Sequence, residues 1–133
     1  MIFPDLVAAY CGVFALVYAL LSAHVVIGRA RTGIVHGDGG NDRLNRVIRA
    51  HGNFAEYVPF ILLMAALLEA RGGSAAEVHW LLLPLLVARL MHPIGMQMPT
   101  ASRAQYLWRA TSASTTWIVL IVAGALLIVR GWY

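Results

Sequence analysis

The sequence predicts an all-α fold, an integral membrane bundle of four spanning helices forming a single domain over residues 1–133. Two observations carry this. Hydrophobic residues make up 60% of the chain and charged ones 12%, about half the charged share of an ordinary soluble domain. The charges also gather at the ends of four long apolar runs, 4–28, 43–69, 76–96 and 104–129. About 20 helical residues suffice to cross a hydrocarbon core of about 30 Å.

In the first run no charged residue lies between Leu6 and Gly28, and Arg29 and Arg31 close it. Asp5 stands where a cleavable leader carries positive charge, so the segment is expected to stay in the membrane. Ala8, Gly12, Ala15, Ala19 and Ala23 recur every three or four residues. They make a smooth stripe through which this helix is expected to pack on another. Cys11 is the only cysteine, which excludes an intrachain disulfide, and its apolar setting marks it as inert packing.

Residues 32–42 hold Gly33, Gly37, Gly39 and Gly40 with His36 and Asp38 between them, the composition of a polar loop. The Lys and Ser/Thr of a phosphate-binding loop are missing. Asn41 or Asp42 can cap the second helix, which Pro59 is expected to bend. Pro84 and Pro93 are expected to interrupt the third. The fourth carries no charge between Ala110 and Val129. His79, Trp80, Trp108, Trp132 and Tyr133 read as anchors at the membrane surface.

All ten basic residues are arginines, against six acidic ones. They flank the apolar runs instead of forming one basic face, which argues against nucleic acid as a partner and for membrane lipid. Arg29, Arg31, Arg43 and Arg103 lie in or beside the loops after helices one and three, whereas the loop after helix two has only Arg71. Both termini are therefore expected to face away from the cytoplasm.

The second helix opens Arg46-Val-Ile-Arg49-Ala-His51-Gly-Asn53-Phe-Ala-Glu56-Tyr57-Val-Pro59. At about 100° per residue, Arg46, Arg49, Asn53, Glu56 and Tyr57 fall within one arc of about 100°, with His51 on the far side. A glutamate two turns inside a spanning helix costs about 2.5 to 3.5 kcal/mol on insertion scales, and is retained where it faces a partner or a wet cavity. A purely structural Arg49–Glu56 pair would not require the other three groups on the same face. On helix three Arg89, His92 and Met96 share a face, and Arg89 is expected to join the same polar interior. His92 alone reads as packing, and no metal site is evident. Arg109 opens helix four, followed by Thr111, Ser112, Ser114, Thr115 and Thr116, whose hydroxyls can bond to the preceding turn or to a neighbouring helix.

The helix-two series resembles the signature of the membrane-associated proteins in eicosanoid and glutathione metabolism, the MAPEG family, in its bacterial, microsomal glutathione transferase-like branch. The resemblance extends to chain length, four spans, an arginine in helix three and one opening helix four. It implies a homotrimer that binds glutathione as co-substrate between adjacent subunits, needs no metal, and acts on a lipophilic small molecule as transferase or peroxidase. Carried over by position, Arg49, Asn53, Glu56 and Tyr57 match the glutathione-binding motif. Arg29 or Arg31 resembles the basic residues closing helix one, and Arg109 the arginine that stabilises the thiolate, a role for which Arg103 is the alternative. Leukotriene-forming members have tyrosines along helix three where this chain has His92 and Met96, which argues against eicosanoid substrates.

Glutathione carries two carboxylates, an ammonium and a thiol. Arg46, Arg49 and Arg89 suit its carboxylates or the orientation of Glu56, Glu56 suits the ammonium, and Asn53 and Tyr57 suit the peptide groups. His51 would enter the site only as the wall supplied by a neighbouring subunit. Lowering a thiol pKa by two units takes about 2.7 kcal/mol, and a guanidinium about 4 Å away supplies roughly 4 kcal/mol at an effective dielectric of 20. Two other classes compete: a proton-coupled transporter switching on Glu56, and a non-catalytic scaffold or lipid-binding bundle.

Overall fold

The computed structural model of the chain describes residues 3–131. Four helices follow one another, α1 (Asp5–Thr32), α2 (Asp42–Ala70), α3 (Ala75–Gln97) and α4 (Arg103–Gly131), with no strand among the described residues. Each is long and apolar enough to cross a membrane. The anchors Trp132 and Tyr133 expected from the sequence lie outside the described residues.

The chain begins and ends each helix with local chemistry. Gly33 adopts φ 69° and returns its N–H to the Arg29 carbonyl at 2.9 Å, closing α1 in a left-handed conformation that a Cβ disfavours. Asn41 caps α2 by accepting from the Leu44 N–H at 2.9 Å. Ser74 and Glu77 form a reciprocal capping box on α3. The start of α1 has no such device, because Pro4 offers no side-chain acceptor. Instead the Glu69 carboxylate, from the last turn of α2, accepts from the N–H groups of Leu6 and Val7 at 3.0 and 2.8 Å. It thereby places a negative charge on the positive end of the α1 dipole.

These links also set the topology. Arg46 at the start of α2 reaches Thr100 beyond α3, while Glu69 at its end reaches the start of α1, so successive helices run in opposite directions. At the Glu69 end, Arg130 of α4 pairs with Glu77 of α3, and the Tyr10 hydroxyl meets His79 Nδ1 at 2.7 Å. His79, exposed at this end, thus also links α3 to α1. Trp80 does point outward, 80% exposed.

Helices α2 and α3 form the centre. Helix α1 packs on both, α4 packs on both, and α1 and α4 do not touch. Val7, Phe14, Ile61, Leu82, Leu85, Val119 and Ala123 fill the core. Leu16, Leu20, Ile121 and other large apolar residues face outward, as suits a surface whose solvent is hydrocarbon.

Three sequence expectations need correction. The small-residue stripe of α1 does not pack within the chain: Ala8, Gly12, Ala15, Ala19 and Ala23 are all exposed. Val7, Tyr10 and Phe14, roughly 150° round the helix by its geometry, fill the space against α2 and α3 instead. Cys11 is likewise exposed and free, on the outer surface of α1. Finally, α3 runs unbroken through Pro84 and Pro93, where interruptions are expected from the sequence. A proline inside a spanning helix frees one carbonyl, which neighbouring helices and local adjustments can accommodate.

Candidate functional site

The polar arc predicted on α2 is present, and its members divide into three groups. Arg49 and Glu56 pair across two turns at 3.9 Å, with 60% and 52% of their side chains exposed. Tyr57 lies beside them, partly buried. This part of the arc opens away from the chain's own core.

Asn53 turns the other way. Its side-chain oxygen accepts from Arg89 of α3, whose second terminal nitrogen donates to Thr116 Oγ1 of α4, with longer contacts at 3.4 Å to the Ser112 hydroxyl and carbonyl. Ser112 itself donates to the Ala88 carbonyl at 2.7 Å, and Thr116 to the Ser112 carbonyl at 2.8 Å. Arg89 is 2% exposed and has no acidic partner among the described residues. A guanidinium in an apolar span needs acceptors, and neutral oxygens from α2 and α4 supply them to the two terminal nitrogens, while Nε is buried with no partner among the described residues. The sequence rightly grouped Arg89 with Asn53, but both terminal nitrogens are engaged inside the chain, so Arg89 is not placed to meet a carboxylate ligand itself. The hydroxyls that hold it were legible on α4, although nothing in the sequence tied Ser112 and Thr116 to this arginine.

Arg46 leaves the arc as well. It donates to Thr100 Oγ1 at 3.2 Å and contacts the Met98 carbonyl at 3.5 Å, tying the start of α2 to the loop after α3. His51 faces α1, where its Nε2 lies 3.1 Å from Ser22 Oγ and its ring stacks on Tyr18 at 4.8 Å. That agrees with its predicted position on the far side of α2, and it gives the residue a partner within its own chain. Arg29 folds back to donate to the carbonyls of Ile34, Val35 and Gly37, holding the loop after α1. Arg31 lines a cleft between α1 and α2 together with Arg43, apart from Arg49 and Glu56.

Arg109 is exposed and has no hydrogen-bond or ion-pair partner among the described residues. It shares a cleft with Arg103, six positions earlier on α4. Gly95 lets α3 come close here: a Cβ at that position would lie 2.9 Å from the Trp108 Cβ and 3.4 Å from the Arg109 Cγ. His92 and Met96 are buried near Arg89; the sequence reads His92 as a satisfied packing residue, but its Nδ1 is buried with no hydrogen-bond partner among the described residues.

What remains of the arc facing outward is Arg49, Glu56 and Tyr57, with the partly buried Asn53 between them, spread along about 12 Å of helix. Such a set can bind a small zwitterion with a peptide backbone, and one chain supplies only one wall for it.

Known proteins of similar sequence bear on what that wall is for. The family model described as "MAPEG family" matches residues 7–129. The chain is 32% identical over 126 residues to "Inner membrane protein YecN" of Escherichia coli strain K12, an alignment covering 95% of this chain and 90% of that protein. The protein of the same name from Escherichia coli O6:H1 matches with the same identity and coverage.

Proposed function

Because the chain belongs to the MAPEG family, we propose that it is a membrane-bound glutathione-dependent transferase or peroxidase acting on lipophilic electrophiles. The observation that supports this most is the open Arg49–Glu56 pair, with Asn53 and Tyr57 beside it, on a helix that otherwise runs through hydrocarbon. In this reading Glu56 takes the ammonium of glutathione, Arg49 a carboxylate, and Asn53 and Tyr57 the peptide groups. Arg89 acts through Asn53. Arg109 of a neighbouring subunit faces the sulfur and stabilises the thiolate, which attacks an electrophile arriving from the bilayer.

The open wall calls for a second one, and a homotrimer with glutathione between adjacent subunits supplies it. With the Arg-rich loops on the cytoplasmic side, the site lies near that face and both termini lie on the other.

Calorimetric titration of detergent-purified protein with glutathione tests the reading. Saturable binding by wild type, lost in folded Glu56→Ala and Arg49→Ala variants, is expected. Absence of binding at millimolar glutathione would overturn it.

A further inference from the structure

A second polar site lies where α1 closes and α2 opens. A cleft of about 230 Å³ is bounded there by His24 and Arg31 of α1 and by Asn41 and Arg43 at the amino end of α2. Its apolar side is Ile27, Leu44 and Val47. The two helices meet closely beneath it, because Gly28 has no side chain: a Cβ there would come within 3.0 Å of the Leu44 Cδ1. On the other side of His24 and Arg43 a second hollow carries Arg46, so three guanidinium groups surround one corner of the bundle.

Arg46 is tied to Thr100 and Met98, but the other two guanidinium groups of this corner are not used within the chain. Neither Arg31 nor Arg43 has a hydrogen-bond or ion-pair partner among the described residues, whereas Arg29, two positions from Arg31, has three carbonyl partners. The nearest carboxylates in sequence, Asp38 and Asp42, form no ion pair, and Asp38 accepts from the Gly40 N–H at 3.0 Å. By helical geometry Arg43, Val47 and Leu44 point about 120° to 220° round α2 from Arg49, so the cleft and the glutathione face are separate sides of one helix.

We propose that this cleft binds the phosphate of an anionic phospholipid, with Arg31 and Arg43 forking the phosphate oxygens and an acyl chain lying against Ile27. The shared chemistry is that of a phosphate anion, and two features assign it to a lipid. The cleft sits at the end of the spanning segments, at the depth of headgroups, and Ile27 beside it is 47% exposed above the buried Leu44 and Val47. A free phosphate would leave Ile27 uncovered. The site is independent of the thiol chemistry proposed above.

The test is titration of delipidated, detergent-purified protein with phosphatidylglycerol, read by native mass spectrometry, with phosphatidylcholine and inorganic phosphate as the other arms. Phosphatidylglycerol is expected to bind saturably and phosphatidylcholine far more weakly. Arg31→Gln and Arg43→Gln are each expected to weaken binding about fivefold, and the pair about thirtyfold. Arg43→Lys keeps the charge but loses the fork, so it falls between wild type and Arg43→Gln. Arg71→Gln, at the opposite end of the bundle, leaves binding unchanged. Equal binding of the two lipids, or an equal loss in Arg71→Gln, would overturn the site. Displacement by inorganic phosphate would retain the anion and overturn the lipid, and displacement by glutathione would assign the cleft to the thiol site.

Discussion

Arg89 of α3 donates to the side-chain oxygen of Asn53 on α2, and that bond fixes the orientation of the Asn53 amide. An arginine can only donate, so the oxygen is turned to Arg89 and the NH2 group has no partner among the described residues. Asn53→Asp keeps an acceptor for Arg89 and removes the donor. Thermal stability in detergent should hold or rise, while glutathione affinity measured by calorimetry falls about tenfold or more. A variant that binds as wild type would show that the Asn53 amide nitrogen takes no part.

Arg89 should matter first for folding. Arg89→Met leaves the acceptors of Asn53 and Thr116 buried without donors, at about 1 to 3 kcal/mol for each group so stranded. A lowered melting temperature in detergent is the expected result, with Arg89→Lys also impaired because one ammonium does not span the two acceptors that the guanidinium joins.

The Arg49–Glu56 pair should behave in the opposite way. On the wet face that the proposed site requires, a pair 3.9 Å apart and more than half exposed contributes about 0 to 1 kcal/mol to stability. Glu56→Ala should therefore melt close to wild type. A large loss of stability would instead indicate that the pair holds helices together.

Glu69→Ala should loosen the amino end of α1. Loss of its two N–H acceptances and of the favourable dipole contact is worth about 1 to 2 kcal/mol. Hydrogen exchange at the Leu6 and Val7 amides is the direct measure, and protection should fall there before it falls in α3.

Arg109 and Arg103 can be separated by the ionisation of bound glutathione. Arg109→Gln should raise the pH at which the thiolate forms, followed by its ultraviolet absorbance, by up to about three units on the Coulomb scale of a single charge near 4 Å. Arg103→Gln should leave it unchanged, and the reverse result would reassign the role.

The four spans were legible in the sequence because hydrocarbon imposes long uninterrupted apolar runs, and the α2 arc was legible because helical geometry fixes which residues share a side. What the sequence withheld was the partner of each group. Arg46, Arg49 and Arg89 look alike in a string of letters, yet one ties down a loop, one pairs in the open and one is buried among hydroxyls. The Ala and Gly stripe of α1 signals close packing without naming the surface it packs on, and within this chain it faces outward. The capping box at Ser74 was readable as Ser-x-x-Glu. The Glu69 cap was not, since its partners stand 62 and 63 positions away.

That separation bears on how the protein is made. A ribosome delivers the whole of α1 and nearly all of α2 before Glu69 emerges, so throughout that interval the first turn of α1 relies on water or headgroups for its free N–H groups. The opening span can enter the bilayer early, but its leading edge is completed only after the second span has returned the chain to the same side. Insertion of the pair α1–α2, rather than of α1 alone, is the smallest step that leaves this end of the protein finished.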